Sequence, residues 1–225
     1  MPLNARDCDW IVDQLHWDRL DVGTFVPEGF EQYVRIFHPA HSYLKNGDVT
    51  PVRWSDIASA NGRSLFEEMR RFTEHNTYTE ADRDLWHSAP SVGEMPTDLC
   101  LRLSSTLAKH TQTPASVVLG IWEGFGGMQY PPDLIGMLDL PWQRRLVLCE
   151  RSLENVMHTF GSPDWPGYQA PNLWWPADRA WCVATEIDYA WSYVGGSAAC
   201  IAEIAADAMF EVLPTSVVEG NFMEL

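Results

Sequence analysis

The chain has 225 residues, of which 46% are hydrophobic and 12% aromatic, a composition that supplies a full core and excludes wholesale disorder. It carries 31 acidic against 15 basic residues, and the net charge of −16 argues against nucleic acid as a partner, because phosphate binding needs clustered Lys and Arg. No apolar run reaches the ~18 residues of a membrane span, and the first residues lack a secretory signal pattern, so we expect a cytoplasmic protein.

The first half of the chain alternates helical and extended patterns. Hydrophobic spacing and turn residues predict, in chain order, a helix over 5–17, a strand over 33–37, a turn over 46–48, a short helix capped by Ser55 and ended by Gly62, and a helix over 64–75. The last of these begins with a capping box formed by Ser64 and Glu67. Two prolines and a glycine in 88–97 make that segment the candidate subdomain boundary within a single domain over 1–225.

The second half continues in the same mixed manner. The predicted elements are a helix from Thr97 to His110, strands over 116–124 and 143–150, a short helix over 153–160, a strand or hairpin over 181–194, and a helix over 197–208. Strands and helices are interspersed, and some strands follow each other at hairpin spacing. The fold class predicted is therefore α+β, with a mixed or mainly antiparallel sheet flanked by helices.

Cysteine and histidine spacing gives no sign of a metal or disulfide framework. The five cysteines are scattered and are expected to be reduced and buried as small hydrophobic residues, with a single reactive thiol as the alternative. His38 and His41 are close, but a proline lies between them and no acid or cysteine stands at ligand spacing. We predict no metal site and no cofactor.

The segment 165–196 has the densest patterning, with five of the eleven tryptophans. Trp174 and Trp175, with Trp165 and Tyr168 nearby, are candidates for a platform on which a sugar, a base or a cation stacks. The alternative is a loop that its own aromatic side chains anchor to the sheet.

Two carboxylates follow in the same segment. On a continuous strand, Glu186 and Asp188 would share a face about 7 Å apart, which suits acid–base chemistry or a hard cation. If a turn falls at 186–189, the strand becomes a hairpin and both acids are turn residues. Arg179 is the counter-charge expected from its position just upstream.

Two glycine-containing motifs near strand ends are candidates for functional sites. Trp122 and Glu123 precede Gly124-Phe125-Gly126-Gly127 and form a candidate cleft edge, although the glycine spacing is not that of a nucleotide-binding loop. Gly195-Gly196-Ser197 resembles a nucleophile elbow only superficially, because no histidine follows His158. Ser197 is instead expected to cap the last helix.

The C-terminal fifth is strongly acidic. No Lys, Arg or His follows Arg179, whereas seven acids do, which indicates an anionic face. Such a face is typical either of a surface tuned for solubility or of one that steers a basic protein partner.

The segments 26–40, 117–126 and 171–197, the last containing WWPADRAWCVATEID, resemble a family of uncharacterised actinobacterial proteins. The resemblance implies a cytosolic, stand-alone, single-domain protein without an assigned activity or cofactor. It supplies no catalytic residues, and it favours treating 171–197 as one structural unit.

Three functions remain open. The first is a non-catalytic acidic interaction protein, of the immunity or antitoxin kind, that binds a basic protein. The second is a small-ligand binding module, whose candidate residues are Trp122, Glu123, Trp174, Trp175, Arg179, Glu186 and Asp188. The third is a hydrolase or transferase that uses Glu186 and Asp188.

Overall fold

The computed structural model describes residues 8–74, 78–125, 134–158 and 169–220. Within these ranges the helices are Asp9–Gln14 (α1), Trp54–Ala60 (α2), Leu65–Glu74 (α3), Thr97–Leu107 (α4) and Ala198–Ala206 (α5). The strands are Gln32–Phe37 (β1), Ala40–Tyr43 (β2), Val49–Val52 (β3), Val117–Trp122 (β4), Leu134–Leu140 (β5), Arg144–Arg151 (β6), Leu173–Pro176 (β7), Trp181–Ala184 (β8), Trp191–Gly196 (β9) and Glu211–Thr215 (β10).

Eight strands form one sheet in the order β10-β1-β9-β8-β7-β4-β6-β5, and β2 and β3 form a separate hairpin. Every pair of neighbouring strands is antiparallel. The predicted α+β class with a mainly antiparallel sheet is confirmed. The strand β1 does not pair with β2, which follows it in the chain. Both of its hydrogen-bonded neighbours, β9 and β10, come from the C-terminal part of the chain.

Helices cover both faces of the sheet, so its central strands bury side chains on two sides, whereas the edge strands β5 and β10 are largely half-buried or exposed. One hydrophobic cluster contains residues of α1, α2 and α3, such as Ile11, Trp54 and Met69. The other contains residues of α4 and α5, such as Leu103 and Ile204. Because strand residues alternate between faces, adjacent residues of a central strand belong to different clusters.

The strongest local signals in the sequence give the elements they predict. The amide of Ser64 donates to Glu67 Oε2 at 2.8 Å and the amide of Glu67 donates to Ser64 Oγ at 3.3 Å, as in a capping box. Ser197 Oγ accepts from the amide of Cys200 at 3.2 Å and so caps α5. The strands predicted at 116–124 and 143–150 correspond to β4 and β6.

Three local predictions are wrong or shifted. Of the helix expected over 153–160, residues 159–160 lie outside the described ranges, and the described part holds a single 3₁₀ turn over Leu153–Asn155. The helix expected to begin after Ser55 begins at Trp54, since Glu211 accepts from the amides of Trp54 and Ser55 and replaces a local cap. Of the helix expected over 5–17, residues 5–7 are likewise not described, and the described part is helical only over α1.

The segment 88–97, the candidate subdomain boundary, is hydrogen-bonded to residues at the ends of β1 and β9. The carbonyl of Ser91 accepts from His38, and the amide of Gly93 donates to the carbonyl of Tyr189 at 2.9 Å. All five cysteines are buried, as expected, and burial raises the pKa of Cys100 to about 12.

Candidate functional site

The candidate site begins at the turn that joins β8 and β9. The amide of Tyr189 donates to the carbonyl of Glu186 at 3.1 Å, so 186–189 is a tight turn and 181–194 is a hairpin, the second of the two predicted arrangements. Gly93, with φ of +78°, packs against the carbonyl of Ile187 so closely that a Cβ would collide with it. The turn is therefore held from outside by a position that only glycine suits.

Arg144 binds both acids of this turn. Its Nε and Nη2 donate to Glu186 Oε1 at 3.1 and 3.0 Å, and Nη2 also donates to Asp188 Oδ2 at 2.5 Å. The prediction that Arg179 is the counter-charge is wrong. Arg179 lies on an exposed turn with its guanidinium 5.0 Å from the ring centre of Trp10.

The two carboxylates differ in exposure. The side chain of Glu186 is 12% exposed, whereas that of Asp188 is 57% exposed. Burial raises the pKa of Glu186, and the adjacent Arg144 guanidinium opposes that shift. The buried acid thus fixes Arg144, and the exposed acid faces solvent.

A strained turn between β5 and β6 supplies the opposite wall. Trp142 and Gln143 have φ of 61° and 59°, in the left-handed region that costs a non-glycine residue roughly 1–2 kcal/mol. The indole of Trp142 is nevertheless 59% exposed. A bulky side chain held in a costly backbone conformation at the surface is a feature that often marks a functional position.

These two turns and the N-terminal segment enclose a cleft of about 180 Å³, which we call the Arg144 cleft. A smaller recess of about 30 Å³ adjoins it and shares Phe25, Trp142, Arg144 and Glu186 with it. The cleft itself is lined by Leu20, Phe25, Trp142, Arg144, Glu186, Asp188 and Tyr189. Its walls are mainly apolar and aromatic, and its polar groups converge on Arg144.

The tryptophans predicted as a stacking platform do not reach this cleft. Trp174 and Trp175 are 1% and 2% exposed and lie on β7, a central strand of the sheet. They point to opposite faces: Trp174 packs on Trp181 with ring centres 5.3 Å apart, and Trp175 packs on Trp10 at 6.1 Å. Both indoles are therefore core side chains of a strand, neither a solvent-facing platform nor part of an anchored loop, and the structure offers no surface at which they could stack on a ligand. Trp165 and Tyr168 lie outside the residues that the structure describes.

The other predicted cleft edge is only partly related to the site. Trp122 does not line the cleft, but its ring lies 5.9 Å below the Arg144 guanidinium and supports it. Glu123 is exposed, and its carboxylate acts on Arg145 rather than on Arg144. The pKa of Arg145 is raised mainly by Asp139 and to a smaller extent by Glu123. Of the seven predicted site residues, the structure brings together Glu186 and Asp188, with Trp122 behind them.

Sequence reasoning missed Arg144, Trp142, Phe25 and Leu20. The sequence does contain one signal for Trp142. It follows Pro141 between two strand-like runs, and a proline there predicts a turn that would carry Trp142. Nothing local connects Arg144 with Glu186, which lies 42 residues later. That contact depends on the order of strands in the sheet.

The acids of the C-terminal fifth are bonded to groups from earlier parts of the chain. Besides the acids of the cleft, these are Glu203 with Lys109 and His110, Asp207 with Arg102, Glu211 with the start of α2, and Glu219 with Arg35. Glu224 lies beyond the described ranges. Although the C-terminal fifth of the sequence lacks basic residues, each of these described acids therefore has a partner from an earlier part of the chain.

A buried polar chain lies on the α4/α5 side of the sheet. His38 Nδ1 is 2.8 Å from the carbonyl oxygen of Ser91, which can only accept, so Nδ1 carries the proton and Nε2 accepts from Ser192 Oγ at 3.0 Å. Ser192 Oγ lies 2.6 Å from Thr185 Oγ1. His38 and Ser192 are fully buried, so this serine–histidine pair is a structural element. Burial lowers the pKa of His38 to about 4.

Comparison of the chain with protein-family models, with curated proteins and with solved structures found no match. Across the described ranges, no three His, Cys, Asp or Glu side chains are grouped closely enough to hold a metal ion. No helix in those same ranges is both long and apolar enough to cross a membrane. The resemblance to the actinobacterial proteins stays a prediction.

Proposed function

We propose that this protein binds a small organic ligand in the Arg144 cleft. The observation that carries the proposal is Trp142, an exposed aromatic side chain that a strained turn holds over an apolar cleft. The strain has a cost in stability and yet leaves most of the indole exposed, which supports a role in recognition.

The size of the cleft limits the ligand to about one ring. A volume of about 180 Å³ is close to the ~150 Å³ of a protein cavity that accommodates benzene, and it is below the ~300 Å³ at which drug-sized sites begin. A six-membered ring with one short substituent fits these limits. Trp142 and Phe25 would contact its faces or edges, as aromatic side chains do in small-molecule sites.

Arg144 supplies the polar end of the site. Three of its five N–H groups donate to Glu186 and Asp188. Neither N–H of Nη1 donates to any group in the part of the chain described. Because Arg144 and the two carboxylates hold one another in place, a ligand meets polar groups that need little further ordering.

We expect the site to operate in the cytoplasm, where buried thiols such as Cys100 and Cys182 remain reduced. Their burial raises the pKa of both, so neither contributes a thiolate at neutral pH. This supports the interpretation of the cysteines as core residues.

The proposal is tested by titrating the protein with monocyclic aromatic compounds while tryptophan fluorescence and thermal stability are recorded. We expect binding with a Kd of about 0.1–1 mM, as is usual for ligands of this size. Replacement of Trp142 by alanine is expected to abolish the fluorescence change and to weaken binding at least tenfold, because the indole forms one wall of the site.

Trp17→Ala is the matched control. Trp17 is 50% exposed and does not line the cleft, so its loss removes an equally exposed indole without touching the site. Equal loss of binding in both variants, or no binding to the unaltered protein, would contradict the proposal.

The acidic interaction protein is a second candidate, and the net charge of −16 is the observation that favours it. A basic partner would associate quickly at low salt and more slowly as salt is added. A search by cross-linking at low salt, followed by binding measurements with the purified partner, tests it. Failure to find any partner with salt-dependent affinity would remove this candidate.

A hydrolase or transferase that uses Glu186 and Asp188 has less support. Both carboxylates accept from the same nitrogen, Nη2 of Arg144, so both are engaged in an ion pair. Glu186→Gln combined with Asp188→Asn should abolish any activity that depends on them.

A further inference from the structure

The polar end of the Arg144 cleft carries more negative than positive charge. Arg144 contributes one positive charge, and Glu186 and Asp188, at 3.0 and 2.5 Å from its Nη2, contribute two negative charges. Among the residues that the structure describes, no other charged one lines the cleft. The three groups together therefore leave one negative charge facing the ligand.

An anionic ligand does not suit this arrangement. A ligand carboxylate at Nη1 of Arg144 would stand beside two carboxylates that already neutralise the charge of the guanidinium. Like charges placed together at a binding site cost several kcal/mol. Asp188, which is 57% exposed on its turn, would be the nearer of the two repelling groups.

The aromatic walls favour a cation for a second and independent reason. Trp142, Phe25 and Tyr189 line the cleft, and the faces of aromatic rings attract cations within about 6 Å. Tryptophan is the strongest of the three ring types in this respect. A positive group in the cleft would lie among these aromatic side chains and beside the Asp188 carboxylate.

We infer that the ligand of the Arg144 cleft is a monocationic, ring-sized organic amine or amidine; this inference rests on the proposed ligand-binding function. One positive charge neutralises the cleft, and the ring occupies the apolar volume between the two turns. The overall charge of −16 adds a long-range field that attracts cations to the protein.

Three compounds of matched size and different charge test the inference: benzylamine, benzyl alcohol and benzoate. We expect benzylamine to bind at least about tenfold more tightly than benzyl alcohol, with benzoate weakest. In Asp188→Asn the affinity for benzylamine should fall about tenfold while that for benzyl alcohol stays within about twofold, because one charge has been removed without changing the shape. Thermal melting shows whether the variant is folded.

Asp98→Asn is the control for the general loss of one negative charge. Asp98 is exposed in the first turn of α4, away from the cleft, and its replacement should leave both affinities within about twofold. If benzyl alcohol or benzoate binds the unaltered protein as tightly as benzylamine, the charge inference is wrong although the binding function stands. If none of the three compounds binds at 10 mM, a concentration about tenfold above the weakest expected Kd, both fail.

Discussion

Trp142 is 59% exposed and Trp174 is 1% exposed, although tryptophan density in the sequence singles out only the second. The difference arises from position in the fold. Trp174 is on a strand with neighbours on both sides, and Trp142 is on a turn at the outer edge of the sheet. Residue type predicts that a tryptophan contacts apolar groups, but exposure depends on the element that carries it.

His38 should make stability depend on pH. Its pKa is about 4 in the folded protein and about 6.5 in the unfolded chain. Its contribution to the free energy of unfolding is therefore complete above pH 6.5. It is lost as the pH falls towards 4, because the unfolded chain takes up a proton that the buried ring does not. The full effect is about 3 kcal/mol in the free energy of unfolding. Urea unfolding at several pH values between 4 and 7 measures this effect.

Replacement of His38 by asparagine should remove most of this slope, whatever its effect on stability at pH 7. The control is His87→Asn, since His87 is exposed. An unchanged slope between pH 5 and 6.5 in His38→Asn would show that another group is responsible.

The turn over 141–143 should gain stability when its backbone strain is relieved. Gln143 is exposed with φ of 59°, so glycine there removes a steric cost of roughly 1–2 kcal/mol from the folded state. Glycine also makes the unfolded chain more flexible, which lowers stability by roughly 0.5–1 kcal/mol. We expect Gln143→Gly to raise the free energy of unfolding by up to about 1 kcal/mol. Urea denaturation at pH 7 gives the value.

Gln143→Ala separates the backbone from the side chain, because it removes the same amide group but keeps the Cβ. It should not stabilise the protein. Equal stability of the glycine and alanine variants would mean that the left-handed conformation has no measurable cost at this position.

Elements with strong local signals could be predicted from the sequence, and those that depend on partners could not. The capping box at Ser64 and the serine cap of α5 are satisfied within one helical turn, so α3 and α5 were predicted. The strand β10, with Pro214 in it, and β5, with an irregular register at Gly136, have weak local patterns and were missed. They are strands because β1 and β6 pair with them.

The same distinction explains the site. Glu186 and Asp188 are candidates from the sequence alone, because two acids stand close together in an aromatic segment. Proximity along the chain points to Arg179 as their partner, and no local signal points to Arg144. The fold places Arg144 at the start of β6, next to the β8–β9 turn, and turns Arg179 towards Trp10.

Net charge should govern how salt affects the whole fold. Surface ion pairs such as Arg145–Asp139 contribute little each, whereas repulsion among the surplus acids acts over the entire surface. We expect the free energy of unfolding to rise by about 1 kcal/mol between low salt and ~0.15 M NaCl, where the screening length is about 8 Å. Urea, which is uncharged, is the appropriate denaturant for this measurement.

The comparison with KCl checks that the effect is screening rather than binding of a particular ion. Similar increases in both salts support repulsion as the cause. A fall in stability with salt would instead mean that the ion pairs, including those of Arg144, outweigh the repulsion.

The position of β1 between β9 and β10 has a consequence for synthesis on the ribosome. Residues 32–37 are made early, yet both of their hydrogen-bonded neighbours lie within 191–215. Glu211, which caps α2, is likewise made more than 150 residues after Trp54. A nascent chain therefore carries β1 without its hydrogen-bonded neighbours until residues 191–215 have been made, whereas β4 to β8 can pair with one another before that point.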